Sequence, residues 1–163
     1  MSPSSGSDPA PPDALLVDAM CGSLARHLRM CGYDAAYALD RGLEDDDRLL
    51  AVAGEEDRLV VTRDERLAAR AGDRGVLLST RDVTDQLREL ARAGFALSLA
   101  DPPTRCGACN GPLEPVDPDE PVPAYAPDPA TTDCWRCRDC GRVFWRGSHW
   151  DDVRERLASV TDR

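Results

Sequence analysis

Cysteines at metal-ligand spacing and aspartates at strand ends are the residues of this chain that can do chemistry. Cys106-Gly107-Ala108-Cys109 and Cys137-Arg138-Asp139-Cys140 are two CxxC pairs. Each CxxC turn aims two sulfurs at one point, and two such turns supply the four thiolates of a tetrahedral Zn2+ site. Four thiolates leave no open coordination position, so this zinc is expected to be structural. Gly107 and Gly141 are expected to give the two turns their positive φ. Cys134 also stands in CxxC spacing with Cys137, which leaves a second ligand set open. Gly141 after Cys140 favours Cys137 with Cys140 and makes Cys134 a spare thiol. The competing readings are a redox dithiol, which normally uses one CxxC beside a βαβ unit, and the disulfides of a secreted chain. Seven cysteines, an odd number, point instead to a reducing cytoplasm.

The second chemistry belongs to Asp18, Asp46 and Asp64. Asp18 ends the apolar run Ala14-Leu15-Leu16-Val17, and Asp64 follows the run Leu59-Val60-Val61-Thr62. Ligands of parallel α/β sheets gather beyond the carboxyl ends of the strands. Asp45, Asp46 and Asp47 start a helix that can point at the same edge. Converging carboxylates repel one another unless a divalent cation neutralises them, and Mg2+ or Mn2+ suits hard oxygen ligands. Such an ion activates water and stabilises charge on a phosphoryl group. Each Asp also has a plainer reading as a helix cap or a solvated side chain. Asp82 and Asp85 follow the run Val76-Leu77-Leu78 and could complete the site or simply cap the next helix. Arg26, Arg29 and Arg63 could face substrate phosphates through their guanidinium forks, or pair with surface acids. Cys21 and Cys31 read as inert core thiols.

The elements that must position these residues follow from the apolar pattern. Short buried runs at 14–17, 34–39, 58–62 and 76–78 alternate with helical periodicity: Met20, Leu24, Leu28 and Cys31; Leu49, Leu50, Val52 and Ala53; Leu67, Ala68 and Ala71; Val83, Leu87, Leu90 and Ala91. Gly32 and Gly94 suit helix stops. This alternation predicts an α/β fold with a mostly parallel sheet. Asp101-Pro102-Pro103 breaks the pattern. The expected organisation is therefore a disordered tail over 1–13, an α/β domain over 14–101, and a zinc ribbon with a C-terminal helix over 102–163. Pro115 to Pro129 is expected to be a loop, and Trp150 to Val160 a terminal helix. The first residues have neither the basic nor the apolar region of a signal peptide. No apolar run approaches the length of a membrane span.

The formal net charge is −10, from 30 Asp+Glu against 20 Lys+Arg. Every basic residue is Arg, and Lys and Ile are absent. That composition suits a halophilic archaeon with a GC-rich genome, because acidic surfaces remain hydrated in strong salt. In dilute buffer the same charge opposes bulk nucleic-acid binding. Composition alone leaves that conflict open.

Two patterns coincide along the chain. Val17-Asp18-Ala19-Met20, Leu24-Ala25-Arg26-His27-Leu28-Arg29 and Gly32-Tyr33-Asp34 resemble the opening of the Mut7-C RNase family. Asp46 before Leu49-Leu50, and Thr62-Arg63-Asp64-Glu65-Arg66-Leu67, resemble its next blocks. The two CxxC pairs, with Phe144-Trp145-Arg146-Gly147-Ser148-His149, resemble its ribbon. The resemblance spans roughly Leu15 to Trp150. It implies a PIN-like fold, metal-dependent cleavage of RNA, and an acidic site of Asp18, Asp46 and Asp64 holding Mg2+ or Mn2+. RNA, in a tRNA or ribosomal context, is the implied partner. Trp145, His149 and Trp150 are available for base stacking, although Trp145 suits packing around the knuckle better. The rival reading is a non-catalytic adaptor whose ribbon docks RNA or a ribosomal partner. A phosphatase using Asp18 as nucleophile is weaker, since that chemistry typically wants a second Asp where Met20 stands.

Overall fold

The computed structural model describes residues 14–161, so the tail expected over 1–13 lies outside the described residues. The chain runs β1 (Ala14–Val17), α1 (Gly22–Met30), β2 (Asp34–Tyr37), α2 (Asp46–Glu55), β3 (Leu59–Thr62), α3 (Glu65–Ala71), β4 (Gly75–Leu77) and α4 (Val83–Arg92). Then come β5 (Leu113–Pro115), β6 (Cys134–Cys137), β7 (Val143–Trp145) and α5 (Ser148–Thr161). The first four strands form one parallel sheet in the order β2-β1-β3-β4. The chain is therefore α/β with a parallel four-stranded sheet, as the alternation of runs requires.

Side-chain alternation sorts the sheet into two faces. Leu15, Val17, Ala35 and Val61 pack with Leu24, Leu28, Leu87 and Leu90 on the face covered by α1 and α4. Leu16, Ala36 and Val60 pack with Leu49, Ala53 and Leu67 on the face covered by α2 and α3. Both faces are buried, which is why the strand runs are uniformly apolar. A fully buried Leu or Val contributes about 1.5–3 kcal/mol relative to exposure. The expected strand at 34–39 ends at Tyr37, because the Leu43 N–H returns to the Ala38 carbonyl and turns the chain. The strand expected at 76–78 is shifted to Gly75–Leu77. Gly75 is required there, since a Cβ would lie 2.5 Å from the Ala68 carbonyl oxygen.

The second sheet is antiparallel, in the order β5-β6-β7. It docks on the edge strand β2. Asn110 Oδ1 accepts from the Ala35 N–H at 3.0 Å, and its Nδ2 donates to Asp34 Oδ1 at 2.7 Å. Arg29 adds a bond to the Gly107 carbonyl at 3.1 Å. The free ladder edge of β2 is thereby partly covered. After this small sheet the chain returns: Val153 and Leu157 of α5 enter the core shared by α1 and α4. No helix among the described residues is long and apolar enough to cross a membrane.

Candidate functional site

The sheet order reverses between β1 and β3, since β1 leads outward to β2 and β3 leads outward to β4. A crevice opens at such a switch point, beyond the carboxyl ends of the two strands. Asp18 follows β1 and Asp64 follows β3, so these two aspartates flank that crevice. Val17 and Val61 are register partners, which places the two chain ends side by side.

Thr62 joins the two aspartates. Its Oγ1 donates to Asp18 Oδ2 at 2.6 Å and accepts from the Asp64 N–H at 2.9 Å. Thr62 is fully buried, so this hydroxyl is fixed. Asp18 Oδ1 accepts from the Ala19 N–H at 2.8 Å. Asp64 caps α3, its Oδ1 accepting from the Arg66 and Leu67 N–H groups at 2.9 and 3.3 Å. Asp64 is thus a helix cap that stands at the carboxyl edge of the sheet, and Asp18 stands at the same edge. Sequence reasoning missed Thr62, and the available signal was a hydroxyl two residues before an Asp, the pattern of a local turn.

Asp46 opens α2, with Asp45 as its cap. In a βαβ crossover that end of the helix faces the carboxyl edge of the sheet, the edge of Asp18 and Asp64. Asp47 is paired with Arg70. Asp82 caps α4, and Asp85 pairs with Arg88 at 2.8 Å, the plainer of their two readings. Tyr37, at the end of β2, donates its hydroxyl to the Ala19 carbonyl at 2.6 Å. Among the described residues, one group of three or more acidic, His or Cys side chains lies close enough to share an ion, and it is the cysteines. Asp18, Asp46 and Asp64 do not form such a group.

The arginines differ in placement. Arg63 is half-buried, with its Nη1 3.8 Å from Met20 Sδ. Burial first, and the Asp18 charge after it, push the Cys21 thiol up to about 11, with Arg63 opposing. Arg26 is exposed on α1. Arg29 is 4% exposed and donates to the Ala35 and Gly107 carbonyls at 2.8 and 3.1 Å, with Asp40 at 3.8 Å. The structure thus makes Arg29 a strut between α1, β2 and the first knuckle, not a side chain open to phosphate. Burial pushes Cys31 up to about 12, which suits an inert thiol.

The four sulfurs of Cys106, Cys109, Cys137 and Cys140 lie within 4.8 Å of one another. Cys106 and Cys140 approach to 3.7 Å, and Cys109 and Cys137 to 3.5 Å. A tetrahedral ion with bonds of about 2.3 Å sets its sulfurs about 3.8 Å apart, so the donor set fits Zn2+. The two knuckles repeat one pattern. Asn110 N–H bonds to the Cys106 carbonyl, and Gly141 N–H to the Cys137 carbonyl. The residue after the second cysteine takes the positive φ: +73° at Asn110 and +79° at Gly141. The expectation of positive φ at Gly107 is therefore corrected. Asn tolerates the left-handed region, so Asn110 fills the place that Gly141 fills in the other turn. Gly111 is needed for space, since a Cβ there would lie 2.8 Å from Cys137 Sγ. Cys134 is buried apart from this cluster, with its Sγ 3.4 Å from the Thr132 carbonyl oxygen. Of the ribbon aromatics, Trp150 is buried, Trp145 is half-buried against Tyr125, and His149 is exposed.

The family model for the Mut7-C RNAse domain matches residues 13–157 of the chain. No curated protein and no solved structure matches it.

Proposed function

The chain belongs to the Mut7-C RNAse domain family, a nuclease-type family, and from that membership we propose that it is a metal-dependent ribonuclease hydrolysing RNA phosphodiester bonds at the β1/β3 edge. The observation that carries this reading is the Asp18–Thr62–Asp64 chain of hydrogen bonds at the switch point. Thr62 holds Asp18 in one orientation without neutralising it. Asp64 Oδ1 is occupied by helix N–H groups, and its Oδ2 has no partner among the described residues. Asp46 would supply the third carboxylate from α2. These are hard oxygen donors of the kind that Mg2+ or Mn2+ takes, with waters completing the shell. A divalent ion held there supplies charge neutralisation at the phosphate and a more acidic water. Arg63, beside Asp18, would orient a phosphate oxygen. Arg26 is free to contact the same strand further along α1. The cysteine cluster would hold a structural Zn2+ and fix the ribbon against β2, where it aids RNA or partner binding.

One observation favours the second reading, a non-catalytic RNA- or ribosome-associated adaptor: the three carboxylates do not stand together as a preformed ion site. Family membership favours the nuclease reading over it. The test is cleavage of single-stranded RNA with Mg2+ or Mn2+ by the wild type, Asp64→Asn and Thr62→Val. Asn caps a helix as well as Asp does, so Asp64→Asn should abolish cleavage with thermal stability equal or slightly higher. Thr62→Val should slow cleavage at least tenfold, the loss of one charge-assisted hydrogen bond being worth about 1.5–3 kcal/mol. Cleavage by Asp64→Asn at the wild-type rate would remove the acidic edge from the mechanism.

A further inference from the structure

A cavity of about 300 Å3 lies between α1 and the ribbon, and the chemistry described so far makes no use of it. Its wall is unlike the rest of the molecule. Three Trp, three Tyr and two Phe are all the aromatics of the chain. Half of them, Tyr125, Phe144, Trp145 and Trp150, line this one cavity. The same lining contains Arg26, Arg105 and Arg142 and no carboxylate, in a chain where acids outnumber bases by 30 to 20. Arg26 and Arg142 have no acidic partner among the described residues. Arg105 is turned toward Asn110 and Asp34.

Size and chemistry together select the occupant. The cavity is at the small end of ligand pockets, large enough for a planar ring system and too small for a helix or a duplex. Bases in a duplex stack on one another, whereas an unpaired base has free faces that stack on protein aromatics. Guanidinium groups at the rim match the phosphates on either side of such a base. We propose that this cavity binds an unpaired RNA base, with Arg26 and Arg142 on the flanking phosphates, so that the substrate class is single-stranded RNA. The choice of RNA as occupant rests on the nuclease reading. Arg26 connects the two sites: it lies on α1, which begins just after Asp18, about 6 Å along the helix from Gly22 at a rise of about 1.5 Å per residue. One strand can therefore lie across both.

Equilibrium binding tests this on the full-length, zinc-loaded chain without added Mg2+ or Mn2+. The probes are a labelled single-stranded RNA of about 12 nucleotides and a blunt duplex of the same sequence. The single strand should bind at least tenfold more tightly and should quench the indole fluorescence. Phe144→Ala should weaken single-strand binding about tenfold, the usual size of one lost stacking platform. The double variant Arg26→Gln with Arg142→Gln changes only residues without acidic partners and keeps the test valid if Phe144→Ala misfolds. It should reduce the slope of log K against log salt by about 1.4, at about 0.7 per phosphate contact. Equal affinity for the duplex, or an unchanged salt slope in the double variant, would overturn the proposal. The two readings fail separately. A wild type that binds single strands through this cavity yet never cleaves them sinks the nuclease and leaves the cavity. Cleavage with binding indifferent to these substitutions does the reverse.

Discussion

Cys134 and Cys140 stand at equal spacing from Cys137, and the backbone between them decides which can share an ion with it. Cys134 to Cys137 is strand β6. Residues three apart on a strand point to opposite faces, so Cys134 faces Val116 and Val143 while Cys137 faces the other sulfurs. Cys140 follows a turn and returns to the same side. The sequence showed the spacing and the glycine after Cys140, which was enough to favour the set whose sulfurs lie together. Elemental analysis should find about one zinc per chain, with Cys134→Ser retaining it and Cys140→Ser losing it. Loss with Cys134→Ser and retention with Cys140→Ser would reverse the ligand choice. Arg29 and Thr62 were not legible in the same way. Burial and a hydroxyl's partners depend on chain segments far apart, and neither residue type announces them.

Element positions were the most legible level, because apolar period and caps act locally. What the sequence could not give is which helix faces which. His27 illustrates this. It is 3% exposed on α1, and its imidazole lies between the Ser23 carbonyl at 2.9 Å and Arg156 of α5 at 2.9 Å. Arg156 can only donate, so Nε2 accepts and Nδ1 carries the proton. Burial, then the charges of Arg156, His149 and Arg26, hold its pKa below the ordinary 6.5, against the Ser23 hydrogen bond. The unfolded chain therefore binds this proton more readily than the folded one. Stability from the clamp is full above the unfolded value of about 6.5 and falls as pH drops below it toward the folded pKa. Melting temperatures from pH 7.5 down to about 5.5 should fall more steeply for the wild type than for His27→Gln. Parallel curves would show that the clamp does not titrate in this range.

Over the whole molecule the excess of acid is unevenly placed. Asp or Glu stands in the first turn of α2, α3, α4 and α5, while the cavity between α1 and the ribbon has none in its lining. The proposed base site would reconcile a conflict that composition left open, since a chain of charge −10 can still carry a wall of arginines and aromatics. If the acidity is an adaptation to high salt, self-repulsion should destabilise the fold in dilute buffer. Molar KCl shortens the Debye length to about 3 Å and removes that repulsion. It also weakens phosphate contacts, whereas stacking is spared. Folding and cleavage should both persist in molar KCl and decline together below a few tenths molar. Circular dichroism and cleavage across a KCl series check this. A chain fully folded and most active in dilute buffer would leave the excess Asp without this explanation.

The return of α5 to the α1–α4 face bears on how the molecule is made. During synthesis β1 to α4 precede α5, so the apolar face they share lacks Val153 and Leu157 until α5 emerges. At about 5–20 residues per second, the interval from α4 to α5 lasts several seconds. Both CxxC knuckles are translated within that interval. A zinc ion taken up by the four cysteines in that interval would shape the ribbon before α5 completes the α1–α4 face, and would so shorten the search of α5 for its place.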